Sequence, residues 1–312
     1  MVRLAFGALA VVWLSACELA EVAAPASADV LVAEAILRVG AEQQYVLLHR
    51  SLDGVHVRGE EGASVVVTGP DGEEIRYDEV SQAGCVVGNL HEGQAVISAS
   101  CYLSPPEAEG FVKPGAGYEL RVETVHGEVL RGRTVVPGDI EFRTPDLQVD
   151  TRRRIGECIL PREPFTLAWT RAEGAWSYIV SLELRDWGEE LRMQGIAAPD
   201  PLELTGVSVS AGDTTLLFPA NLGLFQRGDL DQRLLAVFQQ GLPRAGSATL
   251  TILAADRNFT NGVRGGRFNP SGPVRLSSVV GDGVGVFGSV VPLTIDSRTD
   301  EEPSAPPCNV GG

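Results

Sequence analysis

The chain has 312 residues, enough for two domains of ordinary size that each bury a hydrophobic core. A hydrophobic content of 44%, with 36 glycines and 19 prolines, is typical of a globular, turn-rich chain and not of a disordered one. The formal net charge is −16, and a surface of this sign repels the phosphate backbone of nucleic acids. The composition therefore argues against nucleic acid as a partner.

The first seventeen residues are organised as a secretory signal. Arg3 gives a positive start, and residues 4–14 (LAFGALAVVWL) form an uncharged apolar run that is too short to span a bilayer. The LSAC ending resembles the lipobox of bacterial lipoproteins, in which residues 1–16 are removed and Cys17 is acylated on its sulfur and its amine. Several acyl chains, at ~0.8 kcal/mol per buried methylene, hold a protein stably on a membrane. The alternative is an ordinary cleaved signal with an incidental cysteine.

Four cysteines remain once Cys17 carries lipid, and an even number in an exported, oxidising compartment predicts two disulfides. Three pairings are possible. Cys85 with Cys101 is the local one, because both lie in one candidate hairpin, and Cys158 with Cys308 would then tie the tail to the second domain. A metal site is the alternative, but no C-x-x-C motif and no nearby histidine supports it.

The first predicted domain covers residues 29–137 and follows a small, partly polar stretch at 17–28 that is typical of a tether. Short β-branched runs separated by turn signals predict an Ig-like antiparallel β-sandwich. The clearest hairpin joins residues 64–68 to 75–77 through the turn at 69–72 (GPDG). Further strands are predicted within 29–39, 44–49, 94–103, 118–122 and 129–136.

The second predicted domain covers residues 138–296, with the Pro137-Gly138 pair as the boundary. Its F-x-L-x-W run and its Y-x-V-x-L run are similar to the early strands of fibronectin type III-like domains, in which the tryptophan fills the core. Strands are expected at 165–169, 178–182, 214–218, 248–254 and 290–295. The fold predicted for the whole chain is therefore all-β, with two tandem antiparallel β-sandwiches.

Two further stretches complete the second half. Residues 232–240 (QRLLAVFQQ) could form a helix that Asp229 caps and Gly241 ends, but a buried strand is favoured in a chain that is otherwise all-β. Residues 297–312 are acidic and rich in proline, which predicts a loose tail apart from Cys308.

Residues 283–288 (GVGVFG) match the G-x-G-x-x-G pattern of nucleotide-binding loops. That chemistry needs a strand before the glycines and a helix N-terminus after them, whereas the sequence after Gly288 predicts a strand. The glycines are instead expected to let a loop pack closely against the sandwich and adopt positive φ. We therefore expect no nucleotide and no cofactor.

Residues 256–262 (DRNFTNG) contain some of the oxygen ligands of a calcium loop. An EF-hand loop needs glycine at position 6 and glutamate at position 12, but here the glycine falls one residue late and position 12 is Arg267. A turn stabilised by Asx hydrogen bonds explains the same residues. The sequence therefore predicts no metal site, with calcium as the alternative.

No catalytic motif stands out, and we predict no catalytic residues. A G-x-S-x-G motif is missing, and the histidines occur singly, without metal-ligand spacing, at His49, His56, His91 and His126. The carboxylate pairs Glu73–Glu74 and Glu189–Glu190 flank predicted turns, where solvent surrounds them. A sugar-binding platform could use Trp169, Trp176 and Trp187, although core packing is the stronger expectation for Trp169.

The last third of the chain carries a family resemblance. Its residues 254–259 (AADRNF), 265–270 (GGRFNP) and 278–288 (SVVGDGVGVFG), together with the lipobox and the P-G-x-x-Y-x-L turn at 114–120, resemble the lipoprotein family called domain of unknown function 4249. The likeness spans about residues 17–291. It implies an envelope lipoprotein with no established catalytic residues, sometimes encoded beside TonB-dependent outer-membrane transporters.

These observations predict a non-enzymatic lipoprotein of the outer membrane, facing the periplasm or the cell surface, that binds a ligand or partner. A TonB-dependent transporter is the candidate partner. The rival hypothesis is a secreted hydrolase acting on glycans, which requires two Asp or Glu carboxylates ~5–10 Å apart in one cleft. A structural or adhesive surface protein is the third hypothesis, and it predicts neither a cleft nor a specific partner.

Overall fold

A computed structural model describes residues 29–52, 56–81, 99–143, 162, 164–186, 188–196, 199–208, 210–220, 232–242, 247–264 and 276–298. Within these ranges the protein is mostly β-structure, which confirms the predicted all-β class. The strands are β1 Val30–Arg38, β2 Tyr45–Leu52, β3 His56–Gly59, β4 Ser64–Thr68, β5 Glu74–Val80, β6 Ser100–Leu103, β7 Gly117–Glu123, β8 Val129–Val135, β9 Phe165–Ala168, β10 Ser177–Arg185, β11 Leu202–Val207, β12 Thr215–Phe218, β13 Ser247–Ala255, β14 Val279–Gly281 and β15 Gly283–Arg298. The α-helices are α1 Gly188–Met193, α2 Gln232–Phe238 and α3 Arg257–Arg264, and a 3-10 turn spans Pro106–Ala108.

Most strands belong to one mixed sheet. Neighbouring strands follow the order β11-β10-β13-β15-β1-β2-β6-β5-β4-β7-β8-β14, with β3 beside β2, while β9 and β12 form a separate pair. Strand β5 pairs with β4 through residues 74–77 and with β6 through residues 78–80, so the sheet turns a corner there and can fold over itself. Strand β8 then faces β15, where Gly132 lies against Phe287.

The last described strand, β15, joins the first half of the chain (β1 to β8) to the second half (β9 to β13). Residues 283–290 pair in parallel with β1, from Leu31 opposite Gly283 to Arg38 opposite Val290. The remaining residues pair in the antiparallel sense with β13, ending with Ser247 opposite Arg298. Just before it, β14 pairs with β8. Residues 279–290, which the sequence assigned to the second sandwich, are therefore hydrogen-bonded to strands of the first half.

Alternation along the strands builds the core. In β1 the residues Leu31, Ala33, Ala35 and Leu37 are buried, and they face a layer supplied by β4, β7 and β8. The other face of the sheet carries a smaller apolar cluster that includes Ile179 and Val290, and Phe259 and Val263 of α3 pack against it. Helix α3 therefore covers the outer face where the two halves meet.

The strand favoured for residues 232–240 is wrong, because residues 232–238 form the helix α2. Leu234 and Phe238, four positions apart, are both buried, and the Phe238 ring lies 6.3 Å from the ring of Phe218. Four residues span about one helical turn, so one apolar face reaches the core from a helix. The predicted stop at Gly241 is confirmed by its left-handed φ of +111°.

The G-x-G-x-x-G segment lies in strand β15, not in a loop, but the expected close packing is confirmed. A Cβ atom on Gly283 would lie 2.2 Å from the carbonyl oxygen of Leu31, and one on Gly285 would lie 1.9 Å from that of Ala33. Gly285 also has a φ of +153°. Glycine is required because β1 approaches β15 too closely for any side chain.

Candidate functional site

Most of the predicted site residues lie outside the described residues. This applies to Cys17 and to three of the cysteines predicted to form disulfides, Cys85, Cys158 and Cys308. Cys101 lies in β6 with its side chain buried. The lipidation of Cys17 and the pairing of the other four cysteines stay predictions.

A cleft lies between β12 and the β10–β11 pair. Its volume is about 300 Å³ when the open mouth and the solvent space there are included, so it is a shallow depression. Most of its walls are apolar, and it is lined by residues that include Trp169, Val180, Val207, Ser208, Asp213 and Leu216. Among the described residues this cleft is the best candidate for a binding site.

Trp169 forms part of the wall of this cleft. Its side chain is 3% exposed and packs edge-on against Tyr178, with ring centroids 5.4 Å apart. Its indole Nε1–H has no hydrogen-bond partner in the described part of the chain. A buried donor without an acceptor costs about 1–3 kcal/mol, so this N–H is a local cost of packing Trp169 in the core. The predicted core role of Trp169 is confirmed, and the same residue borders the cleft.

The polar side of the cleft is held by local hydrogen bonds. The Oγ of Ser208 accepts a hydrogen bond from the amide of Tyr178 at 2.8 Å, and the Oδ2 of Asp213 accepts one from the amide of Ser210 at 2.8 Å. These contacts fix the loop between β11 and β12. The surface that the cleft exposes is therefore almost entirely apolar, with Ser208 and Asp213 at its edge.

A second cluster of charges lies at one end of the first half. The Nε of Arg50 lies 2.5 Å from Oε2 of Glu60, and its other two nitrogens pair with the carboxylate of Glu128. The side chains of Arg50 and Glu60 are each 7% exposed, and that of Glu128 is 30% exposed. The three residues come from β2, the end of β3 and the β7–β8 turn. The cluster therefore clamps three separate segments.

The charges in this cluster are those of a stable ion network. Hydrogen bonds from Arg50 lower the pKa of Glu128, and the two carboxylates raise the pKa of the Arg50 guanidinium. A general acid of a glycosidase needs a carboxyl with a raised pKa. Glu60 and Glu128 do converge, as the hydrolase hypothesis requires of two carboxylates, but they converge on one guanidinium. Their arrangement is that of a structural clamp.

The stretch considered as a calcium loop begins a helix. The Oδ1 of Asp256 accepts a hydrogen bond from the amide of Phe259 at 2.8 Å, which makes Asp256 the N-cap of α3. Its Oδ2 accepts a hydrogen bond from the hydroxyl of Thr134 at 2.7 Å, and that hydroxyl lies 2.8 Å from Oγ of Ser289. Asp256 thus caps α3 and ties it to β8 and, through Thr134, to Ser289 of β15. No group of potential metal ligands occurs in the described ranges.

Asp256 gives a prediction for stability. Burial raises its pKa, so its contribution to stability is present below the unfolded-state pKa and is lost as pH rises through the folded-state pKa. Asp256→Asn keeps an N-cap acceptor but removes the buried charge, so we expect unchanged or higher stability at pH 7. Asp256→Ala should cost about 0.5–2 kcal/mol. Urea unfolding between pH ~4 and 8 measures both effects, since the ordinary Asp pKa is about 3.9.

The exposed Asp71→Asn variant is the matched control, because it removes a carboxylate at the β4–β5 turn. If the pH profile of Asp256→Asn follows that of the wild type, the assignment of this titration to Asp256 is wrong.

The remaining candidate residues do not assemble into a site in the described part of the chain. His126 and the pair Glu73–Glu74 are exposed at turns, as predicted for the carboxylates. Trp176 is half exposed and stacks under the guanidinium of Arg257 at 5.3 Å, away from the residues that line the cleft. Sequence reasoning missed Arg50, Glu60 and Glu128, because charges so far apart in the chain carry no spacing signal.

The fold and this cleft define an all-β protein that carries a small, largely apolar surface cleft between β12 and the β10–β11 pair. No helix in the described ranges is long and apolar enough to cross a membrane. No protein-family model matches the chain, and no curated protein matches it. The chain is similar to a solved DUF4785 family protein from Legionella pneumophila, with 11% sequence identity and a TM-score of 0.20 over 70% of this chain. It spans about half of that protein, 51% of its length.

Proposed function

We propose that this chain is a lipid-anchored protein of the outer membrane that acts by binding, without catalysis, as an accessory to a TonB-dependent transporter. The observation that carries the proposal is the N-terminal signal, whose positive start, apolar run and small-residue cleavage site end in register at Cys17. The resemblance to the domain of unknown function 4249 family agrees with it and stays a prediction.

The proposal includes an Ig-like sandwich over residues 29–137 and a fibronectin type III-like sandwich over residues 138–296. The β9–β12 pair opposite β10 and β13, with Trp169 buried between them, supports the second assignment. In this arrangement β15 belongs to both sandwiches. We further propose the disulfides Cys85–Cys101 and Cys158–Cys308, with the burial of Cys101 in β6 in favour of the first.

The cleft beside Trp169 is the proposed contact site for the ligand or partner. Its apolar wall supplies hydrophobic contact area, and the buried side chain of Trp169 forms part of that wall. Asp213 adds a carboxylate that favours a cationic or hydrogen-bond-donating group. A cleft of this kind is what distinguishes a binding protein from a purely structural or adhesive one.

The decisive experiment is a pull-down of the native protein from outer membranes in mild detergent, followed by identification of the bound proteins. We expect a TonB-dependent transporter in stoichiometric amount. We also expect Cys17→Ser to lose metabolic labelling by palmitate and to leave the membrane fraction. A wild-type protein that elutes alone contradicts the accessory role, and unchanged membrane association of Cys17→Ser contradicts the anchor.

Two variants test the cleft in the same pull-down. Thr215→Trp places a large side chain at the wall of the cleft, whereas Leu217→Trp makes a comparable change two residues along β12 at an exposed position that does not line it. We expect only Thr215→Trp to reduce capture of the transporter. Equal capture by both variants excludes the cleft as the contact site and leaves the anchor proposal untouched.

A further inference from the structure

The ends of the β1–β15 ladder have an unusual relation to the ends of the chain. β1 begins the described structure and β15 ends it, and the two strands run parallel through eight paired positions. Because they are parallel, the N-terminal end of β1 and the C-terminal end of β15 lie at opposite ends of the ladder. Opposed forces on those two ends act along the strands, in shear.

Close packing fixes β15 against its neighbours along this ladder. Gly283 and Gly285 bring β15 into contact with the carbonyl oxygens of β1, as described above. Next along the strand, the side chain of Phe287 is fully buried against Gly132 of β8, where a Cβ atom would lie 2.8 Å from that of Phe287. The inner face of β15 is thus fixed to the opposite layer of the first half.

Polar contacts hold the same segment from its other neighbours. The Nδ2 of Asn258 in α3 donates to the carbonyl oxygens of Arg133 at 2.7 Å and of Phe287 at 2.9 Å, which bridges β8 and β15. The Oγ of Ser278 accepts a hydrogen bond from the amide of Phe287 at 2.8 Å. β15 therefore cannot slide along β1 without breaking contacts to α3, β8 and the segment before β14.

We propose that β15 is a mechanical lock that resists tension applied between the two ends of the chain. Parallel ladders have evenly spaced hydrogen bonds, so a shearing force loads them together, whereas a peeling force loads them one at a time. Forced unfolding depends on the unfolding rate, and simultaneous rupture raises that barrier. This proposal depends only on the strand arrangement and not on the proposed membrane anchor. In a protein anchored at its N-terminus, it would keep the first half folded while a partner pulls on the second.

The test is single-molecule pulling on the full, non-lipidated chain with two attachment geometries. Handles at Asp29 and Asp296 load the ladder in shear, since Asp29 precedes its first pair and Asp296 lies beyond its last pair at Val290, where β15 pairs with β13. Handles at Glu42 and Asp296 pull on β1 from the end that pairs with Val290, which peels it. We expect the first unfolding event to need a severalfold higher force in the first geometry. Equal forces in the two geometries would overturn the proposal.

A pair of glycine variants checks that the β1–β15 contact is responsible. In the shear geometry, Gly283→Ala should lower the rupture force, because its Cβ would meet the Leu31 carbonyl. Gly117→Ala in β7 should leave the force unchanged, because its nearest neighbour lies 3.9 Å away. If Gly283→Ala fails to fold, the comparison of the two geometries on the wild type still decides the question.

Discussion

Arg50→Met should destabilise the protein by about 3–5 kcal/mol at pH 7, because it leaves the buried carboxylate of Glu60 without its cation. Methionine approximates the length of the arginine stem, so the loss reports charge and hydrogen bonding more than volume. The same change removes the contact of β2 with Glu128 in the β7–β8 turn. The midpoint of guanidinium chloride unfolding, measured with its slope, gives the change in the free energy of unfolding.

Arg133→Met is the matched control for this prediction. Arg133 pairs with Glu119 at 2.8 Å, but its side chain is 80% exposed and that of Glu119 is 58% exposed. Exposed ion pairs contribute about 0–1 kcal/mol, so the control should change stability little. If the two variants lose similar free energies of unfolding, the contribution of the Arg50 cluster to stability does not depend on its burial.

The pH dependence of Arg50→Met follows from Glu128. Arg50 lowers the pKa of Glu128, so the stability that this pair contributes is present above the unfolded-state pKa and is lost as pH falls through the folded-state pKa. The difference in the free energy of unfolding between the wild type and Arg50→Met should therefore become smaller below about pH 4, where glutamates become protonated. If this difference stays constant from pH 7 to below pH 4, the destabilisation comes from lost packing and not from the charge of Glu128.

The all-β class was predictable because local patterns carry it. Residues 64–68, 118–122 and 248–254 alternate buried side chains with side chains that are partly buried or exposed, and the strands β4, β7 and β13 confirm the predictions there. Each pattern depends on neighbours two residues apart, and one sequence shows them directly. The same local information placed the turn at 69–72, where the amide of Gly72 donates to the carbonyl oxygen of Gly69.

The features that the sequence did not predict depend on contacts between residues far apart in the chain. The pairing of β15 with β1 joins positions about 250 residues apart, and the glycines that permit it are equally compatible with a loop. A strand was favoured over the helix α2 because the rest of the chain was predicted to be all-β, whereas the packing of Phe238 on Phe218 fits the helix. Trp169 was placed in the core correctly, but the cleft beside it requires β11 and β12 to be positioned first.

Phe287→Ala should cost about 3–5 kcal/mol, the usual loss for truncating a fully buried aromatic side chain. The informative measurement is which strands lose stability in this variant. Because Phe287 fills the core between β1 and β8, amide hydrogen exchange should accelerate in β1 and β2, although the substitution lies in the last strand. Val284→Ala, on the same strand but 43% exposed, should leave those amides protected. Faster exchange confined to residues 247–298 would mean that the first half is stable without β15. Loss of amide protection in β1 and β2 would mean that the sheet of the first half is completed by β15.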